Sequence, residues 1–395
     1  MGKIKFLILL LWCSSCKGQP STPPNPDANL VAKPAVVTGA MQLDVLLPML
    51  TLKKVGIVVN HTSLVGKTHL ADTLLKRNVN LVKIYAPEHG FRGTADAGEE
   101  IKDGFDSKTN LPVVSLYGNN KKPTAEQLSD VDVVIFDIQD VGVRFYTYIS
   151  TLHYVMEACA ENNKKLIVLD RPNPNGHYVD GPILEKEFKS FVGMHPIPIV
   201  HGMTIGELAR MINGEGWLEG SKTCDLEIVP VKNWKHTDPF SLPVKPSPNL
   251  PNDQAIALYP SICFFEGTVI SLGRGTQMPF QIIGHPDLKN MPFQFTPVSI
   301  DGMSKNPPLE NKLCYGLDLR EVNVKSQLDL SYLISFYRAF PDKDKFFNNY
   351  FEKLAGTAKL REQIRQGLDE GQIRESWKEG LKSYSQIRKN YLLYE

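Results

Sequence analysis

Between Lys53 and Asn233 the chain repeats one rhythm. Short, continuous apolar runs rich in β-branched residues, "VGIVV", "VNLVKIYAP", "PVVSLYG", "VDVVIFDIQD" and "KKLIVLDRP", read as strands buried on both faces. Among them lie stretches with apolar residues at helical spacing: "THLADTLLKR", "TAEQLSD", "YTYISTLHYVMEACAENN" and "MTIGELARMINGEGWL". "LEIVPVKN" adds a late strand. Strands alternating with helices predict a parallel sheet covered on both sides. The expected fold is α/β, with a Rossmann-like doubly wound, mostly parallel sheet domain over residues 43–235.

Beyond it the rhythm changes. "HTDPFSLPVKPSPNLPND" is Pro-rich and predicts a segment that links or laces two domains. Strands are expected around "FEGTVISLG", then helices in "LDLSYLISFYRAF", "KFFNNYFEKLAG" and "KLREQIRQGLDEG". Residues 236–395 thus predict a smaller α/β C-terminal auxiliary domain.

The first residues follow neither pattern. In "MGKIKFLILLLWCSSCKGQP", Lys3 and Lys5 precede an apolar run from Phe6 to Trp12, then small residues and cysteines. This is a signal peptide over 1–16, too short to span a bilayer as a helix. "CSSC" resembles a bacterial lipoprotein processing box with Cys16 as the lipidated residue; an ordinary cleaved leader is the alternative. A Pro-rich tether over 17–42 suits a chain held away from a membrane. The expectation is an exported, membrane-anchored lipoprotein on the periplasmic side or the cell surface.

Composition narrows the function. Formal net charge is +1 without a long basic run, which argues against nucleic-acid binding by phosphate neutralisation. Cys159, Cys224, Cys263 and Cys314 are too widely spaced for a zinc pattern, and export permits disulfides that sequence cannot pair.

In an open parallel sheet, ligands bind beyond the carboxyl ends of the strands. Asn60, His61 and Thr62 follow "VGIVV"; Glu88, His89 and Arg92 follow "LVKIYAP". Asp137, Gln139, Asp140 and Arg144 close "VVIFDIQDVGVR", with Tyr146 and Tyr148 after them, and Asp170 and Arg171 follow "LIVL". Each has a structural alternative: Asp137 and Asp170 as helix caps or ion-pair partners, Asp140 as a turn former, His61 as a satisfied loop histidine, Arg144 as a surface ion pair. Glu88 is harder to explain that way. Pro87 stiffens the backbone before it, and Gly90 and Gly93 permit close approach of a ligand. Alternation in extended backbone would point His89 away from the atom that Glu88 faces.

Other chemistries lack their motifs. No pyrophosphate-cradling glycine fingerprint, Walker loop or Gly-x-Ser-x-Gly elbow is present, and the histidines form no HExxH pattern. A magnesium on Asp137 and Asp140 has weak support; neither metal nor cofactor is expected. Carboxylate chemistry beside arginines and aromatics remains. A carboxyl group in a partly apolar strand-end pocket suits general-acid work, and glycosidic cleavage needs such a group.

The motifs "VGIVVNHTSLV", "YAPEHGFRG", "FDIQDVGVRFYTY", "LDRPNPNG" and "SLGRGTQMPFQ", in this order, resemble the NamZ-like exo-β-N-acetylmuramidases. That glycoside hydrolase family was formerly a domain of unknown function. The resemblance covers nearly all of the mature chain and implies a cleft between a Rossmann-like domain and an auxiliary domain. It also implies release of N-acetylmuramic acid from the non-reducing end of peptidoglycan fragments, and it carries the family's catalytic glutamate onto Glu88 of "PEHG". The expected partners are muramic acid–glucosamine saccharides.

On this basis Glu88 is the expected general acid and later base, with His89 beside it and Asp140, then Asp137, as the second carboxylate. A carboxyl separation of about 5–5.5 Å would mean a retaining route, and about 6.5–9.5 Å direct attack by water. Participation by the substrate's acetamide would need no protein nucleophile. Arg92, Arg144 and Arg274 are candidates for the lactyl carboxylate, and Asn60, His61, Tyr148 and Asp170 for other polar groups of the sugar. The rival readings are a cell-wall-sugar-binding lipoprotein without turnover, and a glycosyltransferase or phosphorylase.

Overall fold

The computed structural model describes residues 34–92 and 103–395. The expected signal peptide, Cys16 and the tether as far as residue 33 lie outside the described residues. The apolar runs become β1 (Val55–Val59), β2 (Leu81–Ala86), β4 (Pro112–Ser115), β5 (Val133–Asp137), β6 (Lys165–Leu169) and β7 (Asp225–Val229), and the exposed pair Gly104–Phe105 adds an unpredicted β3. They form a seven-stranded sheet in the order β3-β4-β2-β1-β5-β6-β7. All neighbours run parallel except the short edge strand β3, which pairs antiparallel with β4.

Side-chain alternation shows why the strands are apolar throughout. Val58, Val134, Phe136, Leu166 and Val168 join one hydrophobic core, whereas Val55, Ile57, Val59, Ile135, Ile167 and Leu169 join a second. A strand buried on both faces has no polar alternation to display, and burying each such side chain contributes about 1.5–3 kcal/mol. The α/β, doubly wound expectation holds. The helix Tyr148–Glu161 packs in the first core through Ile149, Leu152, Val155 and Met156.

The first core continues into the C-terminal part, where it takes in Phe264, Phe265, Phe336 and Phe351. There β8 (Ile282–His285), β9 (Phe293–Phe295) and β10 (Cys314–Asp318) make an antiparallel sheet in the order β8-β10-β9. Helices run over Ser331–Ala339, Lys343–Phe346, Phe351–Ala355, Lys359–Arg365, Glu370–Glu375 and Lys378–Arg388. Residues Val36–Glu395 form one compact unit.

Two expectations need correcting. "FEGTVISLG" is not a strand: Cys263–Gly267 is a 3-10 turn, followed by isolated bridges from Thr268 to Phe347 and Ser271 to Gly284. A Cβ on Gly267 would lie 2.5 Å from the Cα of Phe351, so the turn and the helix Phe351–Ala355 touch backbone to backbone. The end of the tether is also packed rather than extended. Val37 bridges to Lys232, the Gly39 N–H donates to the Asp170 carbonyl, and the Gln42 amide reaches the Pro230 carbonyl. Cys159, Cys224, Cys263 and Cys314 are all buried free thiols.

Candidate active site

Glu88 sits where β2 ends. Pro87 stops the strand, and the chain then turns through two left-handed residues, His89 (φ 68°) and Gly90 (φ 75°), closed by a bond from the Gly90 N–H to the Pro87 carbonyl. Because His89 leaves the extended region, strand alternation does not govern it, and Glu88 and His89 line the same cavity. The Thr147 hydroxyl donates to Glu88 Oε2 at 2.9 Å. The Tyr117 phenol lines the cavity with Glu88; burial first, and then the charge of Glu88, hold it well above its ordinary range. Tyr148, held by a 2.9 Å bond from the Asn60 amide, points its hydroxyl toward the Glu88 carbonyl.

The cavity measures about 170 Å³. Its walls are largely aromatic, with Tyr117, Tyr146, Tyr148, Phe191, Tyr259 and Tyr350 from widely separated parts of the chain. The Pro-rich segment laces over it: Ser247, Asn249 and Leu250 line the cavity, and the Tyr146 hydroxyl and His61 Nε2 bond the carbonyls of Pro246 and Lys245. Among the described residues, Glu88 and Glu266 are the carboxylates lining the cavity and Arg274 is its arginine. Arg274 donates from Nε (2.9 Å) and Nη2 (2.5 Å) to the same oxygen of Glu266 and lies 5.2 Å over the Phe280 ring. Burial works against its charge, but Glu266 outweighs it and keeps the guanidinium protonated.

The other strand-end groups are placed differently. Asp137 is fully buried in a two-bond fork from Arg171, at 2.6 and 2.9 Å. Asp170 accepts from Thr204, Tyr394 and the Gly206 N–H; burial pushes its carboxyl up to about 6 against these bonds. Asp140 lies behind the cavity wall, where burial raises the phenols of Tyr146 and Tyr148 and the Asp140 charge adds to the effect. Its Oδ2 accepts from the Gly142 N–H and faces His201 at 3.7 Å, while Oδ1 has no partner among the described residues. Burial pushes Asp140 up to about 7 and His201 down to about 3.

Arg144 is fully buried and donates to the carbonyls of Pro182, Ile197, Leu354 and Ala355. Arg92 forks onto Asp106 and stacks on Phe91. Glu88, His89, Tyr148 and Arg274 therefore meet at the cavity. Asn60 supports it through Tyr148, and Asp137, Asp140, Asp170, Arg92, Arg144 and His61 lie outside its lining.

The family model for the N-terminal part of exo-β-N-acetylmuramidase NamZ matches residues 55–254, and that for its C-terminal part matches residues 257–394. The chain belongs to the NamZ exo-β-N-acetylmuramidase family. It is 40% identical over 400 residues to peptidoglycan β-N-acetylmuramidase NamZ of Bacillus subtilis (strain 168), covering 95% of each chain. It also resembles two crystal structures of DUF1343 family proteins from Bacteroides fragilis NCTC 9343. One has TM-score 0.86 and 49% identity, covering 92% of this chain and 99% of that chain. The other has TM-score 0.77 and 31% identity, covering 91% and 99%.

Within this NamZ-family cavity, sequence reasoning missed Glu266, Tyr117, Thr147 and Tyr350. Glu266 carried a faint signal, since in "CFFEG", as in "YAPEHG", an acid follows an apolar run with a glycine within two residues. Tyr117 also follows a strand, β4, at the same sheet edge.

Proposed function

We propose that this protein is an exo-acting peptidoglycan β-N-acetylmuramidase that releases N-acetylmuramic acid from the non-reducing end of cell-wall fragments. The observation that carries this reading is the Glu88 carboxyl group, held by the Thr147 hydroxyl beside Tyr117 in an aromatic cavity. The Thr147 hydroxyl holds the Glu88 carboxyl group at the cavity, whereas the arginine fork holds Asp137 in the core. The aromatic walls can cover the apolar faces of a pyranose while hydroxyls bind its edge.

In the reaction, Glu88 donates its proton to the glycosidic oxygen as the bond from that oxygen to C1 breaks. The leaving saccharide departs as an alcohol. The oxocarbenium-like centre is captured by the sugar's own acetamide oxygen, and the Glu88 carboxylate, on the face the leaving saccharide vacated, removes the proton of the water that then opens this ring and restores the acetamide. Each turnover consumes one water and returns Glu88 protonated.

The test is incubation of the purified protein with a defined muramic–glucosamine disaccharide and identification of the products. Free N-acetylmuramic acid is expected. Saturable binding without product would make the protein a binder, and a rate that depends on added phosphate would make it a phosphorylase.

The leader residues support a second proposal, export with lipid attachment at Cys16. Mass spectrometry of the membrane-fraction protein should find an acylated N-terminal Cys16, and a soluble chain cleaved elsewhere would contradict it. No helix of the described residues is long and apolar enough to cross a membrane.

A further inference from the structure

Two cavities meet at one ion pair. Beside the Glu88 cavity lies another of about 250 Å³, walled by Thr268, Ile270, Leu272 and Pro308, and Glu266, Arg274 and Tyr350 line both. Arg274 is the only lysine or arginine in either lining among the described residues. An anionic group entering this space has one cation to meet.

The pairing of that cation is incomplete. Nε and Nη2 converge on a single oxygen, Oε1 of Glu266, instead of spanning both oxygens. The other Glu266 oxygen and Arg274 Nη1 make no hydrogen bond among the described residues, and both side chains keep about a quarter of their surface exposed, 22% for Arg274 and 24% for Glu266. A guanidinium has five donors, so this one retains capacity for a second carboxylate. It is also held in place. Gly273 (φ 85°) and Gly275 (φ 77°) flank it, and a Cβ on Gly275 would collide with Pro307. Phe280 supports its face.

We infer that Arg274 is the specificity-determining residue for a substrate carboxylate, taking the acid of the 3-O-lactyl ether that projects from the Glu88 cavity into the second one, with Glu266 as its positioning residue. This rests on the muramidase reading. The lactyl methyl meets Ile270 and Leu272, and the carboxylate completes the half-used guanidinium. Glu266 keeps Arg274 oriented and neutralised in the empty site and competes for it when the substrate arrives.

The test measures binding of N-acetylmuramic acid and its methyl ester to the full chain, with turnover of the disaccharide followed in parallel. Arg274→Met should weaken the free acid roughly 10- to 100-fold, the effect of losing charge-assisted hydrogen bonds, and leave the ester unchanged. Arg274→Lys, which keeps the charge and most of the volume, should fall between. Glu266→Gln keeps an oxygen acceptor for Arg274 but removes the competing charge, so it should tighten the acid several-fold without tightening the ester. An acid-to-ester ratio unchanged in both arginine variants would overturn the assignment. So would a Glu266→Gln variant that binds like wild type yet turns over nothing, because Glu266 would then be catalytic. Acid-over-ester discrimination that depends on Arg274 in a protein without turnover would support this site and sink the hydrolase reading instead.

Discussion

Glu88 and Asp137 end the two strands that flank β1, yet they live in different chemistry. Asp137 has an arginine fork, no exposure and no cavity. Glu88 has a hydroxyl partner, a turn of two left-handed residues and an aromatic chamber in front of it. An acid locked to a cation at both oxygens holds the fold together, whereas an acid bonded by a hydroxyl at a cavity wall can meet a substrate. At a strand end, the partner decides the role more than the position does.

That contrast can be broken by mutating each acid in turn. The largest expected effect is on activity. Glu88→Gln should lower release of N-acetylmuramic acid from the disaccharide by roughly 10²–10⁴-fold, the range for a general acid, with the melting temperature kept. Wild-type turnover in this variant would remove Glu88 from the chemistry. Asp137→Asn should do the reverse. It leaves Arg171 buried without its counter-charge, so denaturant unfolding should show a loss of about 3–5 kcal/mol. A stable Asp137→Asn protein with no activity would show instead that Asp137 acts on substrate.

Asp140 falls between the two, since it is buried like Asp137 but has no arginine. Its folded pKa is raised to about 7 from an ordinary 3.8, so its contribution to stability is full below pH 3.8 and is lost as pH rises through about 7. Asp170, raised to about 6, acts in the same direction. A single group of this kind makes stability fall by at most about 1.4 kcal/mol for each step of one in pH. Asp140→Asn should therefore flatten the fall in stability between about pH 4 and 7. An unchanged pH–stability profile would show that the carboxyl is paired in solution. The smallest effect is expected from Thr147→Val, which removes one hydroxyl from Glu88. A loss of roughly 10-fold in kcat with the fold intact would sharpen the contrast, and no change would mean that this hydroxyl is dispensable.

The same distinction explains what could be seen in the chain beforehand. The sheet was legible because strands buried on both faces are continuous apolar runs, a local property. Glu88 was legible because Pro87 and Gly90 bracket it with backbone constraints that a surface turn does not need. Arg144 shows the limit. Its acceptors come from residues 182, 197, 354 and 355, so nothing near it in sequence reveals a guanidinium wrapped in carbonyls. Asp137 and Arg171 also meet only through the pairing of β5 with β6. Glu266 stayed hidden because "FEGTVISLG" has the composition of a strand. The turn that presents it is set by backbone contact with Phe351, far along the chain. The C-terminal sheet was missed because its strands are short and interrupted by glycines, Gly284 and Gly316, where the backbones pair closely.

The central claim is that Glu88 supplies the proton to the departing oxygen, and leaving-group dependence tests it most directly. The Glu88→Gln defect should be measured on the natural disaccharide and on a muramide whose leaving phenol is acidic enough to depart unprotonated. A defect far larger on the disaccharide than on the activated muramide is the predicted result. An equal defect on both substrates would contradict the assignment of Glu88 as the acid.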